Sequence, residues 1–138
     1  MKQHLLELSV QTKGKGLYPF TKPAAQWVAS AGVQRGLLTV FLEHTSASLV
    51  IQENADPDVA LDLRDFFERL VPERAAYRHS TEGSDDMPAH IRTALTASSL
   101  SIPVSGGRMM LGTWQGLYVF EHRAGAQQRN VVLHLLGE

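Results

Sequence analysis

The sequence predicts an α+β fold: a mostly antiparallel, β-sandwich-like body with helices inserted between its strands. Three observations predict it. Short stretches of alternating apolar residues recur along the chain. Two carboxylate-then-proline steps, at Asp56-Pro57 and Asp86-Met87-Pro88, mark helix starts between them. Glycine turns at Gly106-Gly107, Gly112 to Gly116 and Gly125 separate the closing stretches. At 138 residues the chain suits one domain, 1–138.

The elements follow in order. "HLLELSVQ" alternates Leu6, Leu8 and Val10 as a half-buried strand does. "TKGKGLYPFT" reads as a connector. Thr21 is placed to cap a short helix, "KPAAQWVASAG", with Pro23 in its first turn and Gly32 at its end. In "GLLTVFLEH", Leu38, Val40, Leu42 and His44 share one face, while Leu37, Thr39 and Phe41 share the other. Apolar residues on both faces predict a central strand. "SLVIQE" is the next strand. After Asp56, the residues Val59, Leu63, Phe66 and Leu70 recur at helical spacing, and Pro72 marks the end. The helix beginning near Asp86 is expected to turn Met87, Ile91, Ala94 and Leu95 inward. "SLSIPV", "GRMMLG", "GLYVFEH" and "RNVVLHLLGE" complete the strands.

Composition excludes several classes of function. The net charge is −1, so no nucleic-acid footprint or strong attraction to anionic membranes is expected. No apolar run is long enough for a signal peptide or membrane span, which makes a soluble cytoplasmic protein the default. There is no cysteine, which removes disulfides, thiolate metal sites and a cysteine nucleophile. Any metal must be held by His, Asp, Glu or main-chain oxygen.

There are six histidines. His44 ends an apolar strand, His79 lies in a loop, and His90 lies in the first turns of the following helix. These are edges of a core, where three imidazoles would provide nitrogen ligands and leave positions open. Glu82, Asp85 and Asp86 lie between the last two. For His44 alone, a strand-end imidazole hydrogen-bonded to main chain is the competing reading. Glu121 shares a strand face with Leu117 and Val119, and stands either solvated at a strand tip or as a carboxylate that orients an imidazole. Ser46 shares the His44 face and suits phosphate hydrogen bonding better than nucleophilic attack. Asn54 is free to line a pocket beside the capping Asp56. In "GTWQG", Trp114 can stack on a flat heterocycle and Gln115 can read its edge, or the tryptophan is simply buried at a turn. Arg108, Arg123 and Arg129 are candidate phosphate partners. His4, His122 and His134 read as surface positions.

"LEHTSASLVIQENADPDV", "EGSDDMPAHIRTAL", "GRMMLGTWQGLYVFEHR" and the terminal "GE" resemble the YjbQ family, also called the secondary thiamine-phosphate synthase family. The resemblance covers nearly the whole chain and is strongest from Leu42 to Glu138. It implies a compact α+β domain that assembles as a homotrimer. It also implies weak thiamine-phosphate synthase activity, joining hydroxymethylpyrimidine diphosphate to a thiazole phosphate with loss of pyrophosphate. The family's histidine positions fall on His44, His79 and His90, with Asp85 or Asp86 in the acidic loop and Glu121 after the tryptophan motif. A divalent metal, zinc or magnesium, is the expected cofactor. The alternative is a non-catalytic trimer that binds a metal or a phosphorylated metabolite.

Overall fold

The computed structural model describes residues 1–138. Eight strands and three helices follow one another as β1 (Lys2–Lys13), β2 (Gly16–Pro19), α1 (Thr21–Ser30), β3 (Arg35–Leu42), β4 (Ala47–Glu53), α2 (Pro57–Leu70), α3 (Asp86–Leu95), β5 (Ser99–Ser105), β6 (Arg108–Met109), β7 (Gln115–Glu121) and β8 (Ala126–Gly137). A five-stranded sheet has the order β1-β8-β3-β5-β6 and a three-stranded sheet the order β2-β7-β4. Every pairing is antiparallel. The α+β class and the central place of β3 agree with the sequence.

Period-two alternation decides which side chains enter the core. On β8, Arg129, Val131, Leu133 and Leu135 are buried. On β3 it is Leu38, Val40 and Leu42, and on β7 Leu117, Val119 and Glu121. These faces meet between the sheets in one cluster, joined by Phe20, Ala24, Val28 and Val33 around α1. Gly36 and Gly137 lie opposite each other across β3 and β8. A Cβ on either would collide with facing main chain, so this corner closes only with glycine.

The helices depart from the sequence reading in instructive ways. Asp56 caps α2 as expected, its Oδ1 accepting from the Asp58 N–H at 2.9 Å with Pro57 in the first turn. Thr21 does not cap α1. Its hydroxyl instead accepts from the Leu117 N–H at 2.8 Å and ties the helix start to β7. On α3 the buried residues are Asp86, Pro88, Ala89 and Arg92, whereas Leu95 is 58% exposed. The helix is rotated so that Asp86 and Arg92 face inward. Arg92 donates to the Val71 carbonyl at 3.0 Å, and Asp86 is paired as described below. Phe67 packs edge-on against Phe120, but Phe66 and Leu70 stay about half exposed. "GRMMLG" forms only the two-residue β6, and the supposed connector contains β2. No helix is long and apolar enough to cross a membrane.

The two helices α2 and α3 lie on the side of the small sheet that carries Phe120 and His122. The chain is therefore layered as large sheet, small sheet, helices. One end of this stack, where β3 leaves, β4 begins and β7 ends, holds Asp86, His90, Glu121 and Arg129.

Candidate functional site

Strand β7 ends inside the sandwich with Glu121, which is fully buried. A bare carboxylate there would be prohibitively costly, so the chain must supply partners. Arg129 on β8 donates through Nε to Oε1 at 2.7 Å and through Nη2 to Oε2 at 2.5 Å. Thr12 on β1 donates its hydroxyl to Oε1 at 2.6 Å. Oε2 also accepts the main-chain N–H groups of His122 and Arg123, at 3.0 and 3.1 Å. Burial pushes the Glu121 carboxyl up. The bonds from Arg129, Thr12 and the main chain outweigh it and hold the group below the usual carboxylate range. Glu121 is thus neither solvated at a strand tip nor bonded to an imidazole. It pairs the two sheets, and Glu121→Gln would strand the Arg129 charge. Breaking such a buried pair typically costs about 3–5 kcal/mol, so this residue carries the fold as well as the site.

Two residues on, Arg123 reaches the start of α3. Its Nε donates to Asp85 Oδ2 at 2.9 Å, its Nη1 to Asp86 Oδ1 at 2.7 Å and its Nη2 to the Glu82 carbonyl at 3.0 Å. The Ala124 N–H adds a bond to Asp85 at 2.8 Å. The other oxygen of Asp86, Oδ2, lies 2.6 Å from His79 Nε2 and 3.2 Å from His90 Nε2. Asp86 is 2% exposed. Burial raises its carboxyl, and the His79 hydrogen bond, the Arg123 charge and His90 together bring it below the ordinary value. Asp85 is lowered in the same way, burial being outweighed by the Ala124 N–H and Arg123.

The tautomer of His90 follows from its other neighbour. Nδ1 is 2.8 Å from the Thr45 carbonyl oxygen, which only accepts, so Nδ1 carries a proton. In a neutral ring Nε2 then presents a lone pair to Asp86 Oδ2, another acceptor. Two acceptors at that distance require a positive species between them, either a second ring proton or a metal ion. His79, Asp86 and His90 each offer one ligand atom, and the three atoms lie within 4.8 Å of one another. Two imidazole nitrogens and a carboxylate oxygen are a chemically suitable donor set for a divalent transition metal or zinc. The charges point the same way: Asp85 and Asp86 bring two negative charges and Arg123 one positive.

His44 is not brought into this group. Its Nε2 accepts the Asn130 N–H at 2.8 Å, the main-chain bond of the competing sequence reading, and its Nδ1 faces Arg129 Nη1 at 3.4 Å. Burial first, then the Arg129 charge, hold its pKa below the ordinary value. Ser46 lies beside it, its Oγ accepting from Arg129 Nη2 at 3.0 Å. The loop between β3 and β4 nevertheless joins the two groups, since Thr45 meets His90 while its neighbours His44 and Ser46 meet Arg129.

The remaining candidates lie elsewhere. Gln115 and the neighbouring Asn54 sit at the opposite end of the β4–β7 pairing, six and seven residue steps from Glu121 and Ala47, or roughly 20 Å along the strands. Asn54 Nδ2 donates to the Thr113 and Gln115 carbonyls, and Trp114 is 62% exposed rather than buried at its turn. A cleft of about 200 Å³ at that end is lined by Leu17, Glu53, Asn54, Tyr118 and the start of α2. Arg108 stands at the far end of the large sheet, beside Ser105. Within one chain none of these reaches Asp86.

His122 is a correction. It was read as a surface residue and is 1% exposed, beneath α2 and α3 with Ser48 Oγ 2.9 Å from Nε2. β7 is the middle strand of its sheet and is covered on both faces, so alternation does not bring His122 to solvent. Arg129 and Arg123, candidate phosphate partners, pair with carboxylates instead, and Thr45 enters the site through its carbonyl rather than its hydroxyl. An arginine in step with Val131, Leu133 and Leu135 was the legible signal for the first.

The fold and the end-of-sandwich site define a compact two-sheet α+β protein of the YjbQ type. The family model described as UPF0047 protein YjbQ-like matches residues 6–138, and the chain belongs to that family. It is 56% identical over 138 residues to a UPF0047 protein of Synechocystis sp., covering 99% of this chain and 94% of the relative. It is 42% identical over 132 residues to the UPF0047 protein YjbQ of Escherichia coli O157:H7, covering 95% and 96%. The crystal structure of an uncharacterized conserved protein of the yjbq/upf0047 family from Clostridium acetobutylicum superposes with a TM-score of 0.87 at 34% identity, covering 95% of this chain and 99% of that one. A YbjQ-like protein of unknown function from Sulfolobus solfataricus shares the fold at TM-score 0.87 and 19% identity, covering 99% and 100%.

The buried imidazole gives a pH prediction. Burial and then the Arg92 charge push the His122 pKa down to about 3, from an ordinary value of 6.5. The unfolded chain takes up this proton first as pH falls. The stabilisation is therefore full above about pH 6.5 and is lost toward pH 3, at up to about 1.4 kcal/mol per pH unit. Urea unfolding from about pH 6 to about pH 4 should show a parent slope that exceeds the His122→Gln slope by close to one proton. Equal slopes would contradict the buried neutral imidazole.

Proposed function

We propose that the protein is an enzyme acting on phosphorylated small molecules, with a divalent cation held by His79 Nε2, His90 Nε2 and Asp86 Oδ2. The supporting observation is geometric: with Nδ1 bonded to the Thr45 carbonyl, His90 Nε2 faces Asp86 Oδ2 at 3.2 Å, beside His79 Nε2. The donor set favours zinc over magnesium, which prefers oxygen ligands. When bound, such an ion supplies positive charge to a departing pyrophosphate. The chain's own part is to fix both rings, to keep one oxygen of Asp86 facing them, and to leave the partly exposed His79 on the open side. Arg123 and Arg129, expected as phosphate partners, are already committed to carboxylates. That commitment is the argument for a cation.

The reaction we assign is the weak thiamine-phosphate synthase step, in which hydroxymethylpyrimidine diphosphate and a thiazole phosphate combine and pyrophosphate leaves. A non-catalytic trimer binding the same ion is the second reading, supported by the absence of a free arginine beside Asp86.

We also propose a homotrimer. Leu5, Leu37, Phe41 and Leu136 are 37–64% exposed, and strand alternation puts them on the outer face of the large sheet. On the opposite side of the sandwich, Phe66, Leu70 and Leu95 are 48–58% exposed. Two different apolar faces on opposite sides suit a head-to-tail contact that closes a ring. A ring would also offer Trp114 or Arg108 of one copy to the site of another.

Two measurements test these readings. Calorimetric titration of chelator-stripped protein should show saturable zinc binding that weakens as pH falls, because protons compete with the ion for the ligand nitrogens. His90→Ala should lower affinity at least tenfold and abolish pyrophosphate release. Zinc binding unchanged in that variant would remove the proposed cation site. Binding without any pyrophosphate release would favour the non-catalytic reading. Light scattering at micromolar concentration should return three times the 15.2 kDa chain mass, and a monomer mass would contradict the ring.

A further inference from the structure

We infer that Arg123 is a positioning residue that sets the carboxylate of Asp86, so that a single oxygen faces both His79 and His90. The inference deepens the cation site proposed above and rests on it for its metal-binding consequence. A carboxylate rotates easily about its last torsion, which has a broad, two-fold profile. Something must therefore fix the angle at which one oxygen is presented to the rings. Arg123 Nη1 takes Oδ1 at 2.7 Å, and Oδ2 is left at 2.6 Å from His79 Nε2 and 3.2 Å from His90 Nε2.

The guanidinium is itself held at every corner. Nε is spent on Asp85, Nη2 on the Glu82 carbonyl, and the residue's own N–H on Glu121 Oε2. Planar and rigid, it bridges two adjacent carboxylates that would otherwise repel each other. It forms no bond to either imidazole, so it acts only through Asp86. The role belongs to the fork rather than to the charge, because a lysine ammonium supplies the charge from a flexible stem and cannot span both carboxylates in fixed geometry.

The test compares Arg123→Lys and Arg123→Gln with the parent. In metal-free protein, histidine ring nitrogen spectra report tautomers and hydrogen bonds without any need for an ion. Thermal melting reports folding, and Co²⁺ titration reports affinity. The parent should show His90 protonated on Nδ1 and a slowly exchanging His79 Nε2 proton. Both variants should keep a cooperative melt, lose that slow proton and shift both rings. Co²⁺ affinity should fall about 10–100-fold, the usual range for a group that orients a ligand. Parent-like ring spectra in Arg123→Lys would show that charge alone suffices and would overturn the inference. So would parent-like spectra in Arg123→Gln. Should neither variant fold, Asp85→Asn loosens one arm of the clamp. Shifted rings in that variant support the inference, and unchanged rings overturn it. If the parent binds no Co²⁺, the cation reading falls, and the ring spectra still decide the role of Arg123.

Discussion

A single buried ion pair organises this molecule. Glu121 belongs to the small sheet and Arg129 to the large one, and their contact crosses the interior of the sandwich. Ion pairs in such places cost desolvation and are justified only when every remaining lone pair is used. Here both oxygens are used: Arg129 takes both, Thr12 adds to one, and the main chain of His122 and Arg123 adds to the other. The pair therefore locks the exit of β7 at one position. From that position Arg123 reaches the start of α3, where it meets Asp85 and Asp86.

The site is consequently built from the inside outward. The buried pair fixes the turn, the turn fixes Arg123, and Arg123 fixes a carboxylate on the first turn of α3. His90, one helical turn farther along, falls beside the same carboxylate, and the Thr45 carbonyl sets its proton. The loop that supplies Thr45 is tied to Arg129 through Ser46. Five segments distant in sequence thus meet at one end of the stack. Apolar packing holds the two sheets together, while polar contacts decide their alignment at this end.

Much of the fold was legible because strand alternation and helix starts are local signals. Leu38, Val40 and Leu42 announced their face, and Asp56-Pro57 announced α2. The site was legible only in part. His79 and His90 stood out by residue type, and Asp86 by its place between them. Its dominant role was not apparent, since a carboxylate before a proline reads locally as a helix cap. His44 has the right residue type and lies one residue from Thr45, but the Asn130 N–H and the Arg129 guanidinium claim its ring, a choice made by strand β8 some eighty-five positions away. Glu121 ends β7 and His122 follows it, facing the other side, yet both are buried, because helices cover one face and the large sheet the other. Covering of that kind is a tertiary fact with no trace in the strand's own sequence.

The central claim is that this network presents two imidazole nitrogens and one carboxylate oxygen to a cation. Anomalous diffraction at the zinc edge, from a crystal grown without chelator and supplied with zinc, tests it most directly. One strong peak should lie roughly 2.0–2.2 Å from His79 Nε2, His90 Nε2 and Asp86 Oδ2, with Arg123 still bonded to Oδ1 and His44 still on the Asn130 N–H. A peak ligated by His44, or a fully supplied crystal with no peak between these three residues, would contradict the account.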